Sequence, residues 1–208
     1  MPRVIKIVRR AARQAAAERK TKETQVQVAL NLDGAGRYLI DTGMGFLDHM
    51  LESFAKHGMF DLKIHAKGDL RVDFHHTVED IGLVLGQAFR KALGDKKGVT
   101  RFGAASVPMD ESLAECAVDL SGRPVFVYEA DFGGGADERV GDFPVSLVRE
   151  FFEAFTTTSE TTLHLGLRRG QNAHHGIEAM FKAAARAFRQ AVSPDPRATD
   201  VPSTKGVL

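Results

Sequence analysis

Two five-residue segments constrain this chain more than any other feature: His75-His76-Thr-Val-Glu79 and His174-His175-Gly-Ile-Glu178. Each stands at the start of a long run with apolar residues at helical spacing. After the first come Ile81, Val84, Leu85, Ala88, Phe89 and Ala92; within and after the second come Ile177, Met180, Phe181, Ala184, Ala187 and Phe188. One such segment could be surface decoration. Two copies opening two matching helices point to metal binding and to an internal duplication.

The duplication extends upstream. Setting His75-His76 on His174-His175 puts His65 on His164, both ten residues earlier, and Glu79 on Glu178. A two-residue length change then sets His49 on Glu150, and further back Leu32-Asp-Gly matches Leu120-Ser-Gly, which brings Glu23 onto Glu111. Residues 24–32 alternate polar and apolar like a strand with one buried face, and residues 37–41 read as its return strand after the turn at Asp33-Gly34. Residues 46–56 and 147–155 are helical by pattern. Residues 60–65 and 161–167 are β-rich, and residues 113–120 and 124–130 look like a second strand pair. Strands followed by helices, in two rounds, predict an α+β fold of two similar half-domains, each a small sheet packed on two helices. The expected boundaries are a basic arm at 1–20, halves at 21–97 and 98–193, and a tail at 194–208 that contributes to substrate binding.

Charge is balanced, 28 basic against 27 acidic residues, so nothing in bulk points to nucleic acid. The lone Cys116 cannot form an intrachain disulfide and fits a reducing, cytoplasmic setting. No apolar run is long enough for a membrane span. Residues 1–20 hold seven basic residues and one acid, yet lack the serine enrichment of a transit peptide, and read as a solvated arm.

The spacing explains how the motifs bind metal. Residues i and i+4 share a helical face, so His75 with Glu79, and His174 with Glu178, can chelate one ion. His76 and His175 are rotated about 100° away around the helix and serve another ion. Each segment therefore feeds two metals, in a twofold-like or intersubunit arrangement. Imidazole and carboxylate donors without thiolate suit Mn²⁺, Fe²⁺ or a catalytic Zn²⁺, with positions left open for substrate. His49, in Leu-Asp-His-Met, joins the ligand set, and its repeat partner Glu150 is the matching candidate. His164 is the rival for that slot, although His65 and His164 both read as strand histidines. His57 can hydrogen-bond substrate.

Further motifs run the length of the chain: Arg19-x-Thr21-x-Glu23-Thr24, Gly45-Phe-Leu-Asp-His49-Met, Gly68-Asp69, Asp73-x-His75-His76-Thr-Val-Glu79-Asp80, Arg101-Phe102-Gly103, Val107-Pro-Met-Asp-Glu111, Asp119-Leu-Ser-Gly-Arg-Pro124, Gly170-x-Asn172-x-His174-His175 and Val201-Pro-Ser-Thr-Lys-Gly206. With these in this order the chain resembles the imidazoleglycerol-phosphate dehydratases over nearly its whole length. The resemblance implies a duplicated fold, two Mn²⁺ per active site, and a 24-subunit shell with sites shared between subunits. The implied reaction is the dehydration of imidazoleglycerol phosphate to imidazoleacetol phosphate in histidine biosynthesis. It nominates Glu23 as the proton-moving carboxylate beside His49, His75, Glu79, His174 and Glu178. Two departures stand out: many members carry His where this chain has Glu150, and the first ten or so residues extend beyond the usual start.

The chemistry suits these residues. The C–H bond to be broken in the implied reaction is not acidic by itself, and metal ions held by these residues would supply the Lewis acidity that helps expel the neighbouring hydroxyl. A placed carboxylate then moves protons. The phosphate needs fixed cations, for which Arg101, Arg123 and Lys205 lie in Gly-flanked segments; Lys182 sits one turn past Glu178, and Ser203 and Thr204 add hydroxyl donors. Two other readings use the same ligands: a dinuclear metal hydrolase of a small phosphorylated substrate, and a non-catalytic metal-binding shell protein.

Overall fold

The two rounds of sequence fold into two sheets of one strand order, in a computed structural model that describes residues 13–135, 138–206 and 208. In chain order the elements are β1 (Gln14–Lys20), β2 (Gln25–Asn31), β3 (Tyr38–Asp41), α1 (Gly45–Gly58), β4 (Asp61–Lys67), α2 (His75–Leu93), β5 (Phe102–Met109), β6 (Ser112–Asp119), β7 (Val125–Glu129), β8 (Arg139–Val140), β9 (Phe143–Pro144), α3 (Leu147–Ser159), β10 (Thr162–Arg169) and α4 (Ala173–Val192). The first sheet runs β1-β2-β4-β3 and the second β5-β6-β10-β7, each antiparallel except for its last, parallel pair. The short hairpin β8–β9 belongs to the second half alone.

This topology corrects two sequence-based pairings. Residues 37–41 do not return along β2; β3 pairs in parallel with β4. Likewise β6 and β7 are not partners, because β10 lies between them. In each half the helix between the third and fourth strands supplies the crossover that parallel neighbours require. The outer strands β1 and β5 escape the sequence pattern for different reasons. Gln-Ala-Ala-Ala-Glu-Arg-Lys has helical propensity, and pairing with β2 overrides it. Residues 14–20 are therefore a strand rather than part of a basic arm, and residues 1–12 of that arm lie outside the described residues. In β5, Gly103 lies so close to α4 that a Cβ there would come within 1.9 Å of the Ala187 carbonyl oxygen, which mutes the apolar alternation.

The helices form a middle layer in which the halves interlock. α1 packs on α4 and α2 on α3, while α2 covers β1 and β2 and α4 covers β5 and β6. Gly82 and Gly86 allow α2 its close approach to α3: a Cβ would sit 2.6 Å from the Phe151 carbonyl oxygen in one case and 2.4 Å from that of Phe155 in the other. At the centre, Phe54, Phe89, Phe155 and Phe188 meet, one from each helix. They are two repeat-related pairs, Phe54 with Phe155 and Phe89 with Phe188. Their contacts, with ring centroids 5.1 to 6.4 Å apart, surround the pseudo-twofold axis. Such aromatic pairs add about 0.5–1.5 kcal/mol each beyond burial.

Sheet register also redraws one repeat match. Gln27 pairs with His65 in the first sheet and its repeat counterpart Glu115 pairs with Gly166 in the second. Leu62 lies beside Tyr38, and Leu163 beside Phe126. Gly166 is thus the structural counterpart of His65, and the two-residue length change falls between β10 and α4. Both histidines do lie on strands, with exposed side chains on the sheet faces turned away from the helices.

One loop anchor carries a testable electrostatic load. The Asp61 carboxylate accepts hydrogen bonds from the backbone N–H of Ala35 (2.8 Å) and Arg37 (3.1 Å) and from the Arg37 guanidinium. The Arg37 hydrogen bond, followed by the backbone donors, holds the Asp61 carboxyl far below the usual carboxylate range. A depressed folded-state value means that the stabilisation is complete above the unfolded carboxylate value, about 4, and drains away as pH falls from there toward the lower folded-state value. Asp61→Asn is expected to cost about 1 kcal/mol at neutral pH, discounted because Arg37 is solvent-exposed. Urea midpoints for both proteins should converge on acidification; a gap that stays constant down to pH 3 would count against this role.

Candidate metal centre and substrate cations

The second His-His motif opens α4, where Asn172 caps the helix: its side-chain oxygen accepts the His174 N–H at 2.9 Å and the His175 N–H at 3.3 Å. On α2 the Asp73 carboxylate, one residue before the N-cap Phe74, accepts the His75 N–H at 2.9 Å. This fixes both histidine pairs at helix starts, where the two rings of each pair diverge, with centroids 6.3 Å apart for His75–His76 and 6.2 Å for His174–His175. The two rings of each pair therefore point apart.

One cluster of candidate donors converges within a single chain. His174 Nε2 lies 3.4 Å from Glu178 Oε2, and His49 Nε2, brought in by α1, lies 3.5 Å from the same oxygen. The ligand atoms of these three residues lie within 4.8 Å of one another and could hold a metal ion. Glu178 is 8% exposed. Burial alone would raise its carboxyl, but the Lys182 ammonium at 2.6 Å and then His49 keep it below its ordinary value. The donor set is imidazole and carboxylate with no thiolate, which is open-site chemistry rather than a structural zinc cage.

The repeat-related residues His75, Glu79 and Glu150 do not gather in the same way. Among the described residues, His49, His174 and Glu178 are the group of three with converging donors. Glu79 is exposed where Glu178 is buried. Glu150, in the first turn of α3, is in the position repeat-equivalent to His49. His164, its rival, sits between Ala117 and Val127 on the face of its sheet opposite α4, away from the trio.

The second histidines meet carboxylates instead. His76 Nδ1 lies 3.2 Å from Asp69 and 3.8 Å from Glu23, and His175 Nδ1 lies 2.8 Å from Glu111. These contacts raise both histidines above their ordinary values, Asp69 acting most on His76 and Glu111 most on His175. The His175 contact, with backbone donors, lowers Glu111 to about 2.

The Arg19-x-Thr21-x-Glu23-Thr24 motif now has a structural meaning. Thr21 Oγ1 accepts the N–H of Glu23 (3.1 Å) and of Thr24 (2.9 Å), making the turn that presents Glu23. Arg19 Nε (2.7 Å) and the Thr24 hydroxyl both donate to buried Asp80, fastening this turn to the first turns of α2. Sequence reasoning places none of Asp69, Asp80 and Glu111 among the site residues, although Asp69 and Asp80 lie inside the ordered motifs and Glu111 is the repeat partner of Glu23.

The candidate substrate cations fall into two places. Lys182 is the counterion of Glu178, and with Arg186 it also faces His57; burial, then these two cations, push the His57 imidazole below its ordinary value. Arg101 stands at the other end of α4, with its backbone N–H on the Ala191 carbonyl. Its guanidinium donates to Asp119 (2.7 and 3.1 Å) and to the Pro202 carbonyl (2.8 Å), tying down the tail that carries Ser203, Thr204 and Lys205. Three of its five N–H groups are thereby used. Arg123 lies in the adjacent loop and donates to the Ser121 carbonyl at 3.3 Å. His174 and Ala191 are 17 residues apart on one helix, about 26 Å at 1.5 Å per residue. No small molecule of a few carbons spans that distance.

Residues 42–188 match the family model for imidazoleglycerol-phosphate dehydratase. The chain belongs to that family. It is 57% identical over 197 residues to the imidazoleglycerol-phosphate dehydratase of Citrifermentans bemidjiense, covering 95% of this chain and all of that one. It is 54% identical to that of Azorhizobium caulinodans, covering 94% and 98%. The crystal structure of the Staphylococcus aureus dehydratase superposes with a TM-score of 0.78 at 40% identity, over 88% of this chain and 99% of that one. The Pyrococcus furiosus enzyme, in complex with (S)-C348, gives 0.76 at 38%, over 92% and 99%. The α+β fold of two like halves is the fold of these relatives. The chain is accordingly a hydro-lyase of histidine biosynthesis acting on a small phosphorylated substrate, and the hydrolase and shell-protein readings fall away. No helix among the described residues is long and apolar enough to cross a membrane.

Proposed function

We propose that this enzyme dehydrates D-erythro-imidazoleglycerol phosphate to imidazoleacetol phosphate using two Mn²⁺ per active site, in sites shared between subunits of a 24-subunit cytoplasmic shell. The observation that carries the metal reading is the convergence of His49, His174 and Glu178, supplied by two helices that meet across the duplication. Mn²⁺ accepts this mixture of imidazole and carboxylate with positions to spare. When bound, it supplies Lewis acidity at the imidazole of the substrate.

His49, His174, Glu178 and Lys182 form one end of the site, and His75, His76, Glu79 and His175 the remaining ligands, with Glu150 in the slot equivalent to His49. Glu23, held out by its Thr21 turn, moves the protons. Arg123, Lys205, the hydroxyls of Ser203 and Thr204 and the free N–H groups of Arg101 hold the phosphate, and His57, kept neutral, offers a hydrogen bond. The separation of about 26 Å along α4 supports shared sites, because a second chain can bring its cation end to the first chain's metal end. The buried, unpaired Cys116 supports a reducing compartment.

Chelator-treated enzyme is expected to lose turnover of imidazoleglycerol phosphate and to regain it with added Mn²⁺, releasing a keto product that retains its phosphate. Undiminished turnover with the metal demonstrably gone would overturn the metal reading.

A further inference from the structure

The two halves hold their second histidine in the same way with different residues. In the second half the holder is Glu111, in the turn between β5 and β6: its Oε2 meets His175 Nδ1 at 2.8 Å. Its Oε1 accepts the Ser112 hydroxyl (3.1 Å) and the Asn172 (3.1 Å) and Gln171 (3.4 Å) N–H groups. Every oxygen of Glu111 is engaged. Its repeat counterpart Glu23 occupies the same turn between β1 and β2, yet it is 58% exposed and 3.8 Å from His76 Nδ1, outside hydrogen-bond reach.

In the first half Asp69 takes over the holding, from the loop after β4, with Oδ2 at 3.2 Å from His76 Nδ1. That loop is pressed onto α2: a Cβ on Gly68 would come within 1.8 Å of the Thr77 hydroxyl. The corresponding loop of the second half, residues 168–172, contains no acid. Two non-equivalent carboxylates therefore converge on the same ring nitrogen of equivalent histidines, which ordinary inheritance from a common half does not explain.

We propose that Asp69 and Glu111 are positioning residues that grip His76 and His175 by Nδ1, fix the tautomer and present Nε2 as the metal-binding nitrogen. The duplicated glutamates have thereby split in role: Glu111 is locked as a holder, and Glu23, relieved by Asp69, is left free to move protons. A carboxylate on the far nitrogen of a ligating imidazole orients the ring and raises its basicity. The inference rests on the reading that these histidines bind Mn²⁺.

The test is Mn²⁺ binding to the chelator-treated full-length protein, followed by the electron paramagnetic resonance signal of free Mn²⁺. Asp69→Ala and Glu111→Ala are expected to raise the Kd of one class of sites by about 10- to 100-fold. Asp69→Asn and Glu111→Gln, which keep a neutral acceptor, should fall between. In a His76→Ala background Asp69→Ala should add nothing, and likewise Glu111→Ala in His175→Ala, since each acts through its histidine. An unchanged Kd in either single variant, or a loss that persists in the histidine-free background, overturns the positioning role. Absence of Mn²⁺ binding in the wild-type protein overturns the metal reading itself, and this inference with it.

Discussion

Glu23→Gln is expected to lower kcat by about 10² to 10⁴ while leaving Mn²⁺ affinity and substrate binding close to wild type. The substitution keeps the size of the side chain and removes its capacity to take a proton. Among the described residues the Glu23 carboxylate makes only a long ion pair to His76, at 3.8 Å, and the turn that presents it is held by Thr21, Thr24, Arg19 and Asp80 through other atoms. A loss confined to kcat therefore reports chemistry rather than folding. Steady-state kinetics with the substrate, paired with metal content, separates the outcomes. Near-normal kcat would remove Glu23 from the mechanism. A loss of metal alongside kcat would make it a ligand instead.

Glu111, its repeat partner, is not an equivalent candidate base. A carboxylate whose pKa is lowered to about 2, with both oxygens occupied, is a poor proton acceptor at neutral pH. Sequence repeats make the two glutamates look interchangeable, and only the surrounding hydrogen bonds tell them apart.

The same contrast runs through the fold. The four helices were legible because each carries a strongly periodic apolar face, and the two His-His-x-x-Glu segments fixed which helices match. Strands β2, β4, β6 and β10 showed their alternation, being the two central strands of each sheet. Their partners did not. An alanine-rich β1 and a β5 built of small residues against α4 have too little side chain to display a period, and the parallel pairings of β3 and β7 are long-range events that local pattern does not encode. His65 and His164 illustrate the limit: equal spacing from the His-His motifs aligned them, yet the register makes Gly166 the counterpart of His65, because the length change lies after the strand. In the site, residue types pointed to candidate ligands such as His174 and Glu178, which the fold brings together. The contact of Asp69 with His76 became visible only once a loop and a helix were brought together.

The separation of metal and phosphate groups leads to the second large effect. Glu178→Gln removes the carboxylate shared by His49 and His174, and Arg123→Ala removes a cation at the far end of α4; each variant alone is expected to be close to inactive. If a site takes its metal end from one chain and its cations from another, co-expressing the two variants should restore activity. In an equal mixture about a quarter of the sites receive both intact ends, because the two ends are drawn independently from neighbouring chains. If each chain made a complete site by itself, every site would carry one lesion and no mixture could recover. Differently tagged variants, purified through both tags in sequence and assayed against each variant alone, distinguish the two cases. Recovery to about a quarter of wild-type kcat supports shared sites; activity no higher than that of the two variants separately would require the tail of one chain to reach its own metal group, about 26 Å along α4, which the hold of Arg101 on Pro202 opposes.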